Sequence, residues 1–291
     1  MKITRKEFLK RSTLTALGLG LIPRLSAMVS GRDVLPLTRK LGNTNMEVTT
    51  LGMGASRTQE PSVLKAALDK GITFLDTGRR YANGQNEVMI GKVLKGIRQQ
   101  YVIQSKMKVD LEDGSASPDD IRKQMETSLN ESLDALQTDY IDVMLLHGIG
   151  EKKVMQNETI RKVLTEMKEK GAIRAYGFST HNHIELLREN NRDPFYDVVM
   201  VPFNPFGGFQ HSRSDWSKSW DQQALITQMK KAHKMGTGIV AMKTCSGGKH
   251  AFKKGEEPSY SGAVKWVRSQ EYIDTSAVAM ASFEEIDAHT S

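Results

Sequence analysis

A single cysteine, Cys245, is all the chain contains, so no intrachain disulfide can form, and no Cys/His spacing resembles a zinc site. His181 and His183 stand two apart in a loop and are not read as metal ligands, so no metal is expected. Long apolar runs are missing too. The uncharged stretch near the start, residues 12–23, falls short of the ~20 residues that a bilayer span requires. Basic patches interleaved with aromatics are also missing. Of the formal net charge of +7, a net +5 sits in residues 1–30, which leaves +2 for the remainder. Nucleic acid is therefore not an expected partner. What is there is a 291-residue chain, 38% hydrophobic and 26% charged, long enough for one large α/β barrel or two ordinary domains.

Residues 1–30 have the anatomy of an export signal: a basic start, the uncharged segment, then small residues. The stretch "TRKEFLK" is similar to the twin-arginine export pattern Ser/Thr-Arg-Arg-x-Phe-Leu-Lys, with Lys6 where the second arginine stands. The cleavage signal Leu25-Ser26-Ala27 is poor because Leu25 is not small. The expectation is a leader read by export machinery and a periplasmic or exported protein. The alternative is a basic amphipathic leader helix that stays attached to a cytoplasmic protein. A polar linker is expected over 31–40 and one catalytic unit over 41–291.

Beyond the linker a pattern recurs: a short apolar run, a polar turn, a longer helix-like segment. The apolar runs are 48–53, 73–76, 101–106, 141–147, 173–179, 198–204, 238–244 and 276–281. They are continuous rather than alternating, as strands buried on both faces are. Clear helices between them are "SPDDIRKQMETSLNESLDAL", "NETIRKVLTEMKEKG" and "QQALITQMKKAHKMG"; the last two end in Gly171 and Gly236, which signal C-caps. Eight such strands alternating with helices predict a (β/α)8 TIM barrel. A doubly wound sheet is the alternative, but "LGMGAS" lacks the third glycine of its fingerprint. Only ten residues follow the eighth run, so the last outer helix is expected to be short or missing.

The runs end in polar residues: Asp76, Lys106, His147, Ser179, Asn204 and Lys243–Thr244. In a barrel these ends converge on one face, where active sites are built. Singly, a buried lysine or histidine reads as well as a satisfied core group. Asp, Lys and His at three successive strand ends, with Tyr81 five residues after Asp76, point to proton donation to a carbonyl. A phenol with a pKa near 10 is a weak acid at neutral pH, and a nearby ammonium lowers that value. Tyr81 would be the acid, Lys106 its tuner, Asp76 the anchor of the ammonium, and His147 the group that orients the carbonyl. None of these supplies a hydride, for which a nicotinamide cofactor is the usual source.

These residues resemble the aldo/keto reductase family. The resemblance covers about 41–287 and rests on "LGNTNMEVTTLGMGAS", "GITFLDTGRRYANGQNEVMIGKVLKG", "YVIQSKM", "LDALQTDYIDVMLLHG", "GAIRAYGFST", "FNPF" and "GIVAMKT". It implies a (β/α)8 barrel that reduces aldehydes and ketones, or oxidises alcohols, with NADP(H), or NAD(H), and a small-molecule carbonyl or alcohol substrate. Its Asp-Tyr-Lys-His tetrad falls on Asp76, Tyr81, Lys106 and His147. It implies cofactor contacts at Gly54, Ala55, Asp76, Ser179, Thr180, Met200, Met242, Lys243 and Thr244. The chain departs from the family pattern at several points. Thr180 follows Ser179 where Asn is common, Met200 stands where Gln is common, and an aromatic is replaced around Met242 and Lys243. Glu284, Glu285 and Asp287 stand where relatives place basic residues for a 2′-phosphate, which predicts a weakened preference for NADPH.

Two loops carry weaker signals. The aromatic-rich segment 206–220 reads either as surface packing or as a wall of the substrate pocket. The glycine pair in "KTCSGGKH" reads either as a flexible loop or as backbone that approaches a pyrophosphate. Two other functions compete with the reductase: a cofactor-binding barrel acting as redox sensor or partner subunit, and a cofactor-free periplasmic lyase or isomerase.

Overall fold

A computed structural model describes residues 37–111, 116–208, 220–245 and 259–291. The expected leader lies outside the described residues, as do the glycine pair Gly247–Gly248 and most of the aromatic loop, 209–219.

The described chain begins with a small antiparallel hairpin, β1 (Thr38–Lys40) and β2 (Glu47–Thr49). Eight parallel strands follow: β3 (Leu51–Gly54), β4 (Phe74–Asp76), β5 (Val102–Met107), β6 (Ile141–Leu146), β7 (Ile173–Ser179), β8 (Val198–Pro202), β9 (Gly238–Met242) and β10 (Thr275–Ala279). They pair in chain order, and β10 pairs back onto β3 to close the barrel. After each strand comes a helix. These are α1 (Pro61–Asp69), α2 (Gln85–Val93), α3 (Pro118–Leu136), α4 (Lys152–Met155) with α5 (Glu158–Glu169), α6 (His183–Asn190), α7 (Gln222–Lys234), α8 (Tyr260–Arg268) and α9 (Phe283–Thr290). The fold is the (β/α)8 barrel, and its last outer helix, α9, is eight residues long.

The sequence expectations differ from this in detail. The run 48–53 is not one strand: Thr50 separates the hairpin from the first barrel strand. The segment read as linker up to Lys40 ends in β1. The three helices picked out in the sequence start at side-chain caps. Ser117 closes a capping box with Asp120, Asn157 accepts from Ile160 N–H, and Asp221 accepts from Ala224 N–H. Gly171 and Gly236 take positive φ, 74° and 89°, just past the ends of α5 and α7.

Two apolar layers hold the barrel. Inside it, Phe74, Val102, Val143, Leu145, Ala175, Val198, Met200, Val240 and Ala277 pack together, joined by Leu41, Met46 and Val48 of the hairpin region. Outside it, the alternate strand residues, among them Leu75, Ile103, Met144, Leu146, Val199 and Val201, pack against the helices. Each buried side chain of this size contributes about 1.5–3 kcal/mol. The period of two sets the functional geometry. Asp76 shares the inward parity of Phe74, Lys106 that of Val102, and His147 that of Leu145, so all three strand ends turn their side chains toward the barrel axis.

Candidate active site

The ladders between β4, β5 and β6 run on past the strand ends and fix the residues that follow. Thr77 N–H donates to Gln104 C=O at 2.8 Å, Arg79 N–H to Lys106 C=O at 3.1 Å, and His147 N–H to Met107 C=O at 2.7 Å. Tyr81 then opens a tight turn in which its own N–H donates to Gly78 C=O at 2.9 Å. The turn continues through left-handed backbone at Ala82 (φ 49°) and Asn83 (φ 51°), an unfavourable conformation for alanine costing on the order of 1–2 kcal/mol. Behind it, Thr77 Oγ1 donates to Asn86 Oδ1 at 2.6 Å, and Asn86 Nδ2 donates to Ala55 C=O and Thr58 C=O at 2.8 and 2.9 Å. The loop after β4 is thus tied to the loop after β3.

Lys106 is wholly buried, 2% exposed. Its Nζ donates to Asp76 Oδ1 at 2.5 Å and to Thr77 C=O at 2.6 Å. Burial would pull the Lys106 pKa down, but Asp76, then Tyr81, more than restore it, so the ammonium stays charged. The same ammonium lies 4.8 Å from the centre of the Tyr81 ring. The Tyr81 and His147 rings meet edge to face, perpendicular, with centres 5.7 Å apart. Asp76, Lys106 and His147, inferred from three strand ends, and Tyr81 of the turn after β4 therefore form one cluster at the carboxyl-terminal mouth.

Two electrostatic details sharpen the expectation. Burial pushes the Tyr81 phenol above its ordinary value; Lys106 pulls it back, and Asp76 pushes it up again. Lys106 acts in the expected direction, but burial outweighs it. His147 is held down to about 3 by burial first, then by the charges of Lys106 and Arg80, so it is a neutral imidazole at physiological pH. Its Nδ1 is buried without a hydrogen-bond partner among the described residues.

Gln104 was not among the residues singled out in the sequence. It is wholly buried, donates Nε2 to Asp76 Oδ1 at 2.7 Å, and lies 3.5 Å from the Met200 sulfur. The signal was present in "YVIQSKM": Gln104 stands two before Lys106, hence on the same face of β5. Glu87 was missed as well. It is fully buried, pairs with Arg79, and accepts from Ser105 Oγ at 2.6 Å. Arg79 also lies 3.6 Å from Glu131. The next residue, Arg80, is exposed and makes no ion pair or hydrogen bond among the described residues.

The residues read as cofactor contacts lie at the same end of the barrel. Gly54 ends β3, where a side chain would press on the Val278 backbone at 3.2 Å, and Ala55 follows, fully buried. Ser179 Oγ accepts from Gly148 N–H at 2.9 Å. Thr180 Oγ1 donates to Ile149 C=O at 2.7 Å and accepts from Asn182 N–H at 2.9 Å. Both hydroxyls therefore already brace the loop after β6. Met200 is buried inside the barrel, Met242 ends β9, and Thr244 is buried. Lys243 sits between them on left-handed backbone (φ 58°). Its ammonium has no partner among the described residues, and burial lowers its pKa. Asn204 ties the adjacent loops together, donating Nδ2 to Lys243 C=O at 3.1 Å and to Gly208 C=O at 2.7 Å. Of the acidic group near the last strand, Glu285 accepts from Ala281 N–H at 2.6 Å and Asp287 pairs with Lys70 at 2.9 Å. No cluster of three metal-ligating side chains occurs among the described residues, and none of their helices is long and apolar enough to cross a membrane.

Comparison with known proteins agrees with the barrel fold. The aldo-keto reductase AKR11C1 from Bacillus halodurans, in its holo form, has a TM-score of 0.69 at 22% identity, covering 87% of this chain and 89% of that one. An aldo-keto reductase from Klebsiella pneumoniae in complex with NADPH has a TM-score of 0.61 at 20% identity, covering 86% and 87%. At these identities the likeness speaks for the fold alone. In sequence, the Bacillus subtilis (strain 168) protein named Uncharacterized oxidoreductase YqkF is 32% identical over 149 residues, 49% of this chain and 48% of its own length. The chain spans about half the length of the curated relatives it matches. The sequence pattern of the Aldo/keto reductase family matches residues 41–288, from the hairpin turn through every barrel strand to the last helix, and the chain belongs to that family.

Proposed function

We propose that this protein is a nicotinamide-dependent oxidoreductase that interconverts a small carbonyl compound (an aldehyde, ketone or sugar) and its alcohol. The observation that carries this reading is the buried Asp76–Lys106 pair set beneath the Tyr81 ring, with neutral His147 at its edge. Tyr81 is the proton donor in reduction. Lys106 favours the phenolate that remains, and Asp76 keeps Lys106 charged and in place. His147, neutral, orients the carbonyl oxygen toward the phenol. Gln104 holds the Asp76 carboxylate from below.

A dinucleotide fits the mouth on its β9 side, where half-buried Lys243, without a partner among the described residues, suits an anionic group. Lys243, Met242, Thr244 and the Gly54–Ala55 turn would hold it, with Asp76, Ser179, Thr180 and Met200 around the nicotinamide end. When bound, it supplies the hydride. NADP(H) is the first candidate, because a structural neighbour was solved with NADPH; NAD(H) is the second. One observation favours a second reading, a cofactor-holding barrel with little turnover: the hydroxyls of Ser179 and Thr180 are already engaged within the protein.

Native mass spectrometry of the purified protein, followed by NADPH consumption with a panel of carbonyls, separates these readings. Bound cofactor with turnover supports the reductase. Bound cofactor with none favours the second reading, and no binding of either cofactor rejects both. The export-like composition of residues 1–30 supports a further proposal, that the folded protein leaves the cytoplasm with its cofactor. Fractionation of cells that carry a carboxyl-terminal tag tests this, and a wholly cytoplasmic protein would reject it.

A further inference from the structure

Two arginines follow Gly78, and the structure treats them differently. Arg79 is neutralised: it pairs with the fully buried Glu87, and Glu131 lies 3.6 Å away. Arg80 is exposed and has no ion-pair partner among the described residues. Its backbone is fixed by the bonds that fix the proton donor, Arg79 N–H to Lys106 C=O and Tyr81 N–H to Gly78 C=O, so Arg80 is held one residue from Tyr81. Its charge also lowers the pKa of the His147 imidazole, after burial and Lys106.

The charges of the catalytic cluster itself cancel or vanish. Asp76 and Lys106 neutralise each other at 2.5 Å, and His147 is neutral. Among the described residues at this end of the barrel, Arg57, Arg80 and Lys243 are cations with no anionic partner, and of these Arg80 alone adjoins Tyr81 in the chain. Lys243 lies at the end of β9, on the side assigned above to the cofactor, and Arg80 lies beside the proton donor.

We propose that Arg80 recognises an anionic group, carboxylate or phosphate, carried by the carbonyl substrate a few bonds from the reacting carbon. A guanidinium offers a planar fork of N–H donors that matches either anion in a bidentate pair. The proposal rests on the reductase reading and adds to it a substrate class, small carbonyl compounds with a negative charge.

The test uses the full chain with NADPH and two pairs of aldehydes: succinic semialdehyde against butanal, and glyceraldehyde 3-phosphate against glyceraldehyde. The native protein should prefer the charged member of at least one pair, and the pair that responds tells carboxylate from phosphate. Added salt should erode the preference. Arg80→Gln should lower kcat/KM for the preferred anion by on the order of tenfold, several times more than for its neutral partner. In calorimetry, succinate or inorganic phosphate, according to that pair, should bind the native protein more tightly than the variant. Turnover of butanal or glyceraldehyde without any charge preference would overturn the proposal alone. So would an equal loss for charged and neutral substrates, or a matching loss of NADPH affinity, which would assign Arg80 to the cofactor. If no carbonyl were turned over by the native protein, the reductase reading would fall and this proposal with it.

Discussion

Replacing Asp76 by Asn removes the negative charge that faces the Lys106 ammonium. The lysine is 2% exposed, so it cannot turn to water, and its other partners, the Thr77 carbonyl at 2.6 Å and the Tyr81 phenol, carry no full negative charge. Removing one member of a buried pair costs about 3–5 kcal/mol, because the remaining charge is left uncompensated. Loss of the proton sets a ceiling on that cost. A lysine with a reference pKa of about 10.4 is neutralised at pH 7 for about 4.6 kcal/mol, and at pH 9 for about 2 kcal/mol. Asp76→Asn is therefore expected to lower stability by about 3–4.6 kcal/mol at pH 7, and the deficit should shrink as pH rises. The native protein behaves oppositely. Burial would lower the Lys106 pKa, but Asp76 and Tyr81 raise it, so the pair stabilises fully below the unfolded lysine's pKa and fades only as pH climbs through the higher folded value. Urea unfolding of the native protein, Asp76→Asn, Lys106→Met and the double variant, at pH 7 and pH 9, measures this. The double variant, which leaves no unpaired ammonium, should be less destabilised than the sum of the two single changes. A loss under about 1 kcal/mol for Asp76→Asn at pH 7, or a deficit equal at both pH values, would refute the reasoning.

Three other expectations follow from the same geometry. Lys106→Met should slow carbonyl reduction and shift the rising limb of the pH profile for alcohol oxidation upward, because Lys106 is the group that pulls the Tyr81 pKa down against burial; an unmoved limb would show that Lys106 does not tune the phenol. His147 has a folded pKa of about 3 against 6.5 in its ordinary state, so its contribution to stability is present above pH 6.5 and is lost as pH falls toward 3; His147→Gln should flatten that acid loss in thermal melts, and parallel curves would contradict it. Titration with each cofactor at fixed ionic strength should find NADPH and NADH within roughly tenfold of each other in affinity, because the family resemblance sets Glu284 and Glu285 where relatives carry cations for a 2′-phosphate; a hundredfold preference for NADPH would sink the idea.

The barrel was legible because its strands are buried on both faces, so that runs such as "IDVMLL" and "IRAYGFS" are nearly unbroken apolar signals. The cluster was legible because a strand end fixes a side chain rigidly, and Asp76, Lys106 and His147 each terminate a run. The hairpin was not, because Thr38–Lys40 has no apolar alternation to mark it, and Thr50 breaks the register within an apolar run without changing its composition. The helix Lys152–Met155 is too short to show a period. Gln104 and Glu87 were passed over because a polar residue in a strand or helix gives no sign of its partner, and their partners Asp76 and Ser105 lie 28 and 18 residues away. The net direction of the Tyr81 shift could not be read either, since burial is set by the whole fold.

The most direct test of Tyr81 and its neighbours as a carbonyl-reducing site is isotope transfer. NADPH deuterated on the reduced nicotinamide ring is incubated with the native protein and with Tyr81→Phe, and the alcohol is examined by NMR. The native protein should place deuterium on the former carbonyl carbon, and Tyr81→Phe, which keeps the ring but lacks the proton, should be slower by on the order of 10²–10⁴. An alcohol without deuterium, or a Tyr81→Phe rate near that of the native protein, would contradict the account.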